Sequence, residues 1–460
     1  MASSGWLRLF SKGLATMTAT QQNKSSITVT VPAEPDWVPL LQSAAENAAR
    51  IFGLAREKGL RLAMSMEEVL LYLARVLPGE AVRISLEQAP GAVSATFSLA
   101  ADSLDLSAMN IVAGADPGEE DDHALPLLLA SRMSDGLHVS RVGGQLFLTL
   151  RQDHVYARIS SQQGDEGLPC APVRVEATTD YHRIAHGCAR IMGRYHAREL
   201  PPWIAFPGKI TDRIAAGKFQ VSVALDDADR VRGLLFWEYM SEKSVTFSGP
   251  WLLDACDQGL APLLEHMLLA LARSKVSCLF SNPDGTPSGL DLSRHGFEVL
   301  ATITRTEQDG DQRIPVWFRH LREDEGLQVW AHPGCIPFLE ETYQRVFLPR
   351  TILPALDAVG RPQSHARDRS LFAAAMNREL GEIVLRPLLD GADNAENIAR
   401  HLRVLRGEGY RRILFRIDLA EGWQAALCGD LLEQGCRPSL VLPQAGRSDV
   451  LLMEYVHTAP

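Results

Sequence analysis

Four residues that could bind a ligand lie close together where an apolar run meets a helical stretch. Cys256, Gln258, Gly259 and Ala261 follow the run that ends at Asp254. Small residues let a ligand approach the backbone, and the start of a helix presents unpaired N–H groups to an anion. The carboxylate of Asp254 favours the helix through its dipole but opposes an anion. The sequence therefore leaves an anion site and a purely structural helix start as alternatives.

A carboxylate that could accept a proton precedes this segment. Glu238 lies among aromatic residues, between Trp237 and Tyr239. An apolar surround raises the pKa of a carboxylate towards the range of a general base. The alternative is that Glu238 takes the exposed position of an alternating strand.

The segment belongs to an order of elements that occurs twice. In the first copy an apolar run ends at Asp254 and is followed by a helix, a strand and a second helix ending at Gly296; in the second copy the same order runs from Asp390 to Gly435. The two copies have similar lengths. This agreement predicts a duplicated strand–helix–strand–helix unit.

Residues 173–306 resemble the GNAT N-acetyltransferase fold, which has two helices, three antiparallel strands and then strand–helix–strand–helix. The resemblance implies that acetyl-CoA or another acyl-CoA binds at the helix start, with Glu238 as the general base. The matching positions for the cofactor are Cys256, Gln258, Gly259, Ala261 and Asn282. Residues 330–460 resemble a second, truncated unit of this kind.

Residues 25–152 resemble the anti-sigma-factor-like branch of the GHKL ATPases in the strings Leu62–Glu68, 104–110 and 141–148. The resemblance implies a degenerate site for ATP and Mg²⁺. Glu68, or its neighbour Glu67, matches the family's catalytic glutamate, and Tyr72 stands where the family has a metal-binding asparagine. Asp102 matches the residue that contacts adenine, and Gly143 and Gly144 match a phosphate loop.

The composition of the chain argues against several classes of protein. The 460 residues are 46% hydrophobic and carry a net charge of −10, which argues against non-specific nucleic-acid binding. No apolar run approaches the roughly 18–20 residues of a membrane span. Seven scattered cysteines without a CxxC pair predict free thiols in a reducing cytoplasm and no metal site.

These observations predict an α/β (α+β) fold with a GHKL-like sandwich and two GNAT-like mixed-sheet units. The predicted divisions are a disordered tail at 1–24, an ATPase-like domain at 25–152, a linker at 153–172, and GNAT-like domains at 173–320 and 321–460.

The predicted function is that of a bacterial cytoplasmic regulatory protein with a degenerate ATP-binding domain and an acyl-CoA-binding region. If it is an enzyme, it is an N-acyltransferase that uses acyl-CoA. One alternative is a non-catalytic partner-switching scaffold that binds a protein antagonist or sigma-like factor at its N-terminal domain. The other alternative is a serine kinase.

Overall fold

The computed structural model describes residues 26–100, 104–113, 125–142, 145–162, 171–197, 199–254, 257–307, 310–355, 368–377 and 381–456. Helices alternate with one antiparallel sheet, two mixed sheets and a parallel pair of strands through these ranges, which confirms the predicted α/β (α+β) class. The predicted tail at 1–24 lies outside them.

The N-terminal unit (residues 26–153) is an antiparallel sheet covered by helices. Its strands have the order β1-β2-β3-β5-β4. Along the chain, a strand and two helices are followed by a hairpin, a third helix and a second hairpin. The apolar residues of the first helix recur every three or four positions, so one side of that helix is buried and the other is exposed. The bounds are β1 Ser26–Pro32, α1 Val38–Ile51, α2 Arg56–Val76, β2 Ala81–Ala89, β3 Ala92–Ala100, α3 Leu125–Met133, β4 Gly136–Val142 and β5 Gln145–Asp153.

The middle unit (residues 174–320) is a seven-stranded mixed sheet with the order β11-β12-β10-β9-β8-β7-β6. The pair β9 and β10 is parallel, and the other neighbouring pairs are antiparallel. The bounds are β6 Arg174–Ala177, α4 Tyr181–Arg194, α5 Pro207–Ala215, β7 Phe219–Leu225, β8 Val231–Tyr239, β9 Ser244–Leu252, α6 Leu260–Ala272, β10 Cys278–Ser281, β11 Glu298–Glu307 and β12 Gly310–His320.

The second helix predicted for the first copy of the repeat is wrong. Between β10 and β11 the chain forms two short 3-10 turns, Pro283–Gly285 and Ser293–His295. Pro287 and Gly289 stand between these turns. Proline lacks the N–H that a helix needs and glycine loses entropy in it, so a regular helix is disfavoured here.

The C-terminal unit (residues 327–456) repeats part of the middle unit. Its five-stranded sheet has the order β15-β16-β17-β19-β18, in which β16 and β17 are parallel and the other neighbouring pairs are antiparallel. β13 and β14 form a separate parallel pair. The middle unit's strands β8-β9-β10-β12-β11 have the same order and directions, which confirms the repeat apart from the helix just described. The bounds are β13 Leu327–Ala331, α7 Ile336–Arg345, β14 Arg350–Pro354, β15 Leu371–Asn377, β16 Glu382–Leu389, α8 Asn394–Gly407, β17 Arg412–Asp418, α9 Gly422–Ala426, α10 Cys428–Glu433, β18 Arg437–Leu442 and β19 Val450–Val456.

The units are joined by their apolar interiors. One core contains Phe280 and Phe318 of the middle unit together with Val329 and Phe415 of the C-terminal unit. The core of the N-terminal unit includes Leu371 from β15. The three units therefore pack against each other and are not connected by linkers alone.

None of the helices in the described ranges combines the length and the apolar character needed to cross a bilayer.

Candidate functional site

An opening between two strands of the middle unit lies where the sequence predicts a ligand. β9 and β10 are paired from Ser244 and Cys278 to Phe247 and Ser281. β10 then ends, whereas β9 continues along β8 to Leu252. The last residues of β9 thus have no strand partner on their β10 side, and their backbone groups need another partner.

The phenol of Tyr195, directly after α4, partners the end of β9. Its hydroxyl donates a hydrogen bond to the Leu252 carbonyl at 2.9 Å and accepts one from the Leu252 N–H at 3.0 Å. The ring packs edge-on against Trp251, with 4.8 Å between the ring centroids. Burial raises the pKa of Tyr195, so the group is a neutral phenol. A ligand that binds the Leu252 backbone must first displace this hydroxyl.

The turn after β10 bridges the other side of the opening. The Asn282 N–H donates to the Phe247 carbonyl at 2.7 Å, and the Asn282 side-chain amide donates to the Ser248 hydroxyl oxygen at 3.2 Å. A Cβ on Gly285 would lie 2.5 Å from Ser248 Oγ, so only glycine allows this approach. Asn282, predicted as a cofactor contact, therefore ties together the two strands where they begin to separate.

The predicted cofactor-binding helix starts beside the end of β9. Gly259 is the N-cap of α6 and has no side-chain cap, and a Cβ there would lie 3.2 Å from Leu252 Cδ2. Gln258 is exposed, and Ala261 takes the second position of the helix. Pro262, at the third position, has no N–H to offer an anion. The helix start therefore provides fewer donors than the sequence pattern predicts.

Cys256 lies outside the described residues. Near it, the buried Asp254 has its backbone carbonyl held by the Arg194 guanidinium at 2.9 Å. The chain leaving β9 is thus anchored to the end of α4, next to Tyr195.

Glu238 lies away from the opening. It pairs across the sheet with Thr246, which in turn pairs with Phe280, where β9 and β10 are still joined. Its carboxylate forms an ion pair with Arg213 of α5, whose guanidinium lies 4.5 Å from the centre of the Phe219 ring. The role of Glu238 as a general base stays a prediction, and base catalysis would require this ion pair to open.

The equivalent loop of the C-terminal unit is closed. A Cβ on Gly391 would lie 2.3 Å from the Ser370 nitrogen, and the Ser370 N–H donates to Asp393 Oδ1 at 2.6 Å. The Asn394 amide donates to Asp390 Oδ1 at 2.7 Å. The segment around Ser370 therefore covers the start of α8, where a cofactor would otherwise bind.

Asn110, which belongs to the N-terminal unit, also helps to cover the start of α8. Its amide donates to the Ser370 carbonyl at 2.9 Å and accepts from the Phe372 N–H at 2.9 Å. The sequence places Asn110 at the end of a family-like string but gives no sign of this contact, because its partners lie about 260 residues away.

Two predicted nucleotide-site residues lie on the long helix of the N-terminal unit. Glu68 is half-buried, and burial followed by the charge of Glu67 raises its pKa. The buried Tyr72 donates its hydroxyl to the Asp105 carbonyl at 2.5 Å, so it fixes the segment after β3 against α2. Asp102, Gly143 and Gly144 lie outside the described residues, and the nucleotide site stays a prediction.

The described residues contain no cluster of three or more His, Cys, Asp and Glu side chains suited to a metal ion. The sequence matches no protein-family model, and no curated protein is similar to it.

Several solved structures that are similar to part of this chain are acetyltransferases. An N-acetyltransferase from Staphylococcus aureus Mu50 is 11% identical, with 33% of this chain and 99% of that chain covered and a TM-score of 0.25. The GNAT family N-acetyltransferase YhbS from Escherichia coli, in complex with CoA, is 17% identical, with 34% and 86% covered and a TM-score of 0.24. Aminoglycoside 6'-acetyltransferase type Ii is 7% identical, with 33% and 98% covered and a TM-score of 0.26.

The strand order of the middle unit defines its class of fold. The antiparallel strands β7, β8 and β9, the helix α6 and the parallel strand β10 agree with the arrangement that the resemblance to GNAT N-acetyltransferases predicts, whereas β6 and the hairpin of β11 and β12 are additional. The sequence missed Tyr195 as the residue that occupies the opening. Its signal is weak, since a tyrosine after a helix has many ordinary roles.

Proposed function

We propose that the middle unit binds an acyl-CoA in the opening between β9 and β10, on an N-acyltransferase fold. The observation that carries this proposal is the separation of the two parallel strands beside the start of α6. The pantetheine arm of CoA contains amides, which can pair with the backbone at the end of β9 once the Tyr195 hydroxyl is displaced. The N–H groups at the start of the helical stretch, which begins with the 3-10 turn Asp257–Gly259 and continues into α6, would face the pyrophosphate.

Tyr195 controls access in this proposal. An incoming pantetheine amide and the phenol compete for the same N–H and carbonyl of Leu252. Binding therefore includes the cost of breaking two hydrogen bonds, each worth about 1 kcal/mol net. Tyr195→Phe removes that cost of about 2 kcal/mol, so the variant should bind acetyl-CoA more tightly, by up to about 30-fold.

Titration calorimetry with acetyl-CoA tests the proposal. Ala261→Glu places a carboxylate where the pyrophosphate would lie and should abolish binding, while the helix dipole favours the same charge at this end of α6. Ala270→Glu, an exposed position near the other end of α6, is the matched control and should bind as the parent chain does. No heat of binding in the parent chain and in Tyr195→Phe would contradict the proposal.

A second candidate function is docking of a protein partner on the N-terminal unit, without catalysis. Helices α1, α2 and α3 cover one face of the sheet, and large apolar side chains remain exposed on them. These residues are Leu40, Ile51, Leu60, Met64, Leu125 and Leu129. Exposed apolar side chains grouped on one surface are typical of interaction sites.

A photo-crosslinking amino acid at Met64 would test this candidate in cells. The same group at the exposed Glu87 of β2 is the control. A discrete crosslinked species at Met64 and none at Glu87 is the expected result, and equal patterns at the two positions would contradict a specific partner surface.

Mg²⁺–ATP binding by the N-terminal unit is also a proposal, with Glu68 as its remaining acidic group. A ligand that binds the native state raises the thermal midpoint. An unchanged thermal midpoint with excess Mg²⁺–ATP would contradict this proposal.

A further inference from the structure

Two arginines lie side by side where the parallel strands of the C-terminal unit separate. β16 and β17 are paired up to Leu385 and Phe415, and the next residues along the two strands are Arg386 and Arg416. Paired residues of neighbouring strands point to the same face of a sheet. Leu385 and Phe415 are fully buried in the core, so both arginines extend from the opposite face.

Among the described residues, neither arginine forms an ion pair with a carboxylate. The Arg386 guanidinium contacts His138 Nδ1 of β4 at 3.4 Å, and the Arg416 guanidinium donates to the Ala445 carbonyl at 2.9 Å. Arg412, earlier on β17, behaves differently because it pairs with Glu382 and Glu454.

The carboxylate that faces Arg416 is already engaged. Asp418 accepts hydrogen bonds from the backbone N–H groups of Ala420 and Arg447. Burial, followed by the charge of Arg386, lowers the pKa of Arg416, and the charge of Asp418 opposes this only in part.

Desolvation also lowers the pKa of Arg386. The pKa of His138 is lowered by burial and by the charge of Arg386. Positive charge is thus concentrated here without a counter-charge in direct contact within the described ranges.

The middle unit has neutral residues at the matching positions. Ser248 and Asn282 follow its last strand pair and are hydrogen-bonded to each other. The separation of the two strands therefore does not require arginines at these positions. Arg386 is exposed and Arg416 is half-buried, so a ligand can reach them.

We propose that Arg386 and Arg416 form a binding site for a dianionic oxyanion of the phosphate type, with His138 at its edge. Guanidinium groups donate two parallel hydrogen bonds to such oxygens, and two of them match two negative charges. The site lies at the junction of the N-terminal and C-terminal units and goes beyond acyl-CoA binding in the middle unit.

Titration of the full chain with inorganic phosphate tests the proposal. Ionic strength is held constant with chloride, and binding is followed by calorimetry. We expect saturable binding with a dissociation constant on the order of 1 mM, and sulfate should compete for it. Arg386→Gln and Arg416→Gln should each weaken binding by about ten-fold or more, because each removes a charged donor.

Arg437→Gln is the matched control, since Arg437 is an exposed arginine on β18, and it should bind phosphate as the parent chain does. Arg386→Lys keeps the charge but loses the two parallel donors, so it should bind phosphate less tightly than the parent chain. If a glutamine variant does not fold, this variant decides the matter, because unchanged binding would overturn the proposal. Failure of the parent chain to bind phosphate would overturn the proposal. An equal loss in Arg437→Gln, or none in Arg386→Gln and Arg416→Gln, would do the same.

Discussion

Replacing Arg350 by methionine should destabilise the C-terminal unit severely. The Arg350 side chain is fully buried, and its Nε donates to Asp449 Oδ2 at 2.7 Å. The other two guanidinium nitrogens donate to the Asp324 carboxylate at 3.0 Å each. Both carboxylates are nearly inaccessible to water.

Removing one member of a buried charged group costs about 3–5 kcal/mol, because the remaining charges lose their partner but stay buried. Arg350→Met leaves two such carboxylates at pH 7, so we expect a loss near the upper end of this range. Gln444 contributes one hydrogen bond to each carboxylate, which cannot replace the positive charge.

Urea unfolding at pH 7 measures this loss as a change in the free energy of unfolding. Arg345→Met is the control, because Arg345 pairs with Glu341 on the surface of α7 and exposed pairs contribute at most about 1 kcal/mol. The measurement should also be made at lower pH. Burial raises the pKa of Asp324, but hydrogen bonds led by that from Arg350 leave it below the ordinary value.

Asp324 therefore stabilises the fold above its unfolded pKa, and this contribution disappears as the pH falls through its folded pKa. The difference between Arg350→Met and the parent chain should accordingly shrink in acid. A cost below about 1 kcal/mol at pH 7, or a difference that grows in acid, would refute the reasoning.

Three further changes have definite expected results. His401 is buried, and burial lowers its pKa to about 4. As the pH falls from 6.5 to 4, the parent chain should therefore lose up to about 3 kcal/mol of stability through this residue. The thermal midpoint of His401→Leu should lack this part of the pH dependence. Gly391→Ala should cost at least about 2 kcal/mol in urea unfolding, because its Cβ would meet backbone atoms at 2.3 Å. Tyr72→Phe should cost about 0.5–1.5 kcal/mol by the same measurement, since it loses the hydrogen bond to Asp105.

Each of these predictions has its own contrary result. An identical pH dependence in His401→Leu and the parent chain would show that the imidazole does not titrate as described. Gly407→Ala, at the end of α8 with open space around a Cβ, should not destabilise, and an equal loss at both glycines would remove the steric explanation. A Tyr72→Phe variant as stable as the parent chain would mean that water replaces the carbonyl partner.

The sequence predicts the elements of the fold well where their periodicity is strong. Residues 27–31 alternate in polarity and residues 60–76 carry apolar residues at helical spacing; these patterns predict a strand and a helix, and they correspond to β1 and α2. The repeat was visible because both copies keep an apolar run, a helix and a strand in register. The predicted helix after β10 does not form, because Pro283 and Pro287 interrupt the stretch that ends at His295 and Gly296.

The sequence predicts where the candidate site lies but not whether a side chain of the protein occupies it. The sequence indicates Gly259 and Ala261 at the start of α6, which is where the structure has them. It cannot show that Tyr195 binds the edge of β9, because 57 residues separate it from Leu252. Contacts between distant residues depend on how the units pack, which no local pattern records.

The shared core of the middle and C-terminal units has a consequence for how the chain can be divided. A fragment ending near residue 320 would leave Phe280, Leu300 and Phe318 facing water on one side, although they are buried in the whole protein. Exposed surface of this kind promotes aggregation. The middle and C-terminal units should therefore be expressed together. They should also unfold in one cooperative transition.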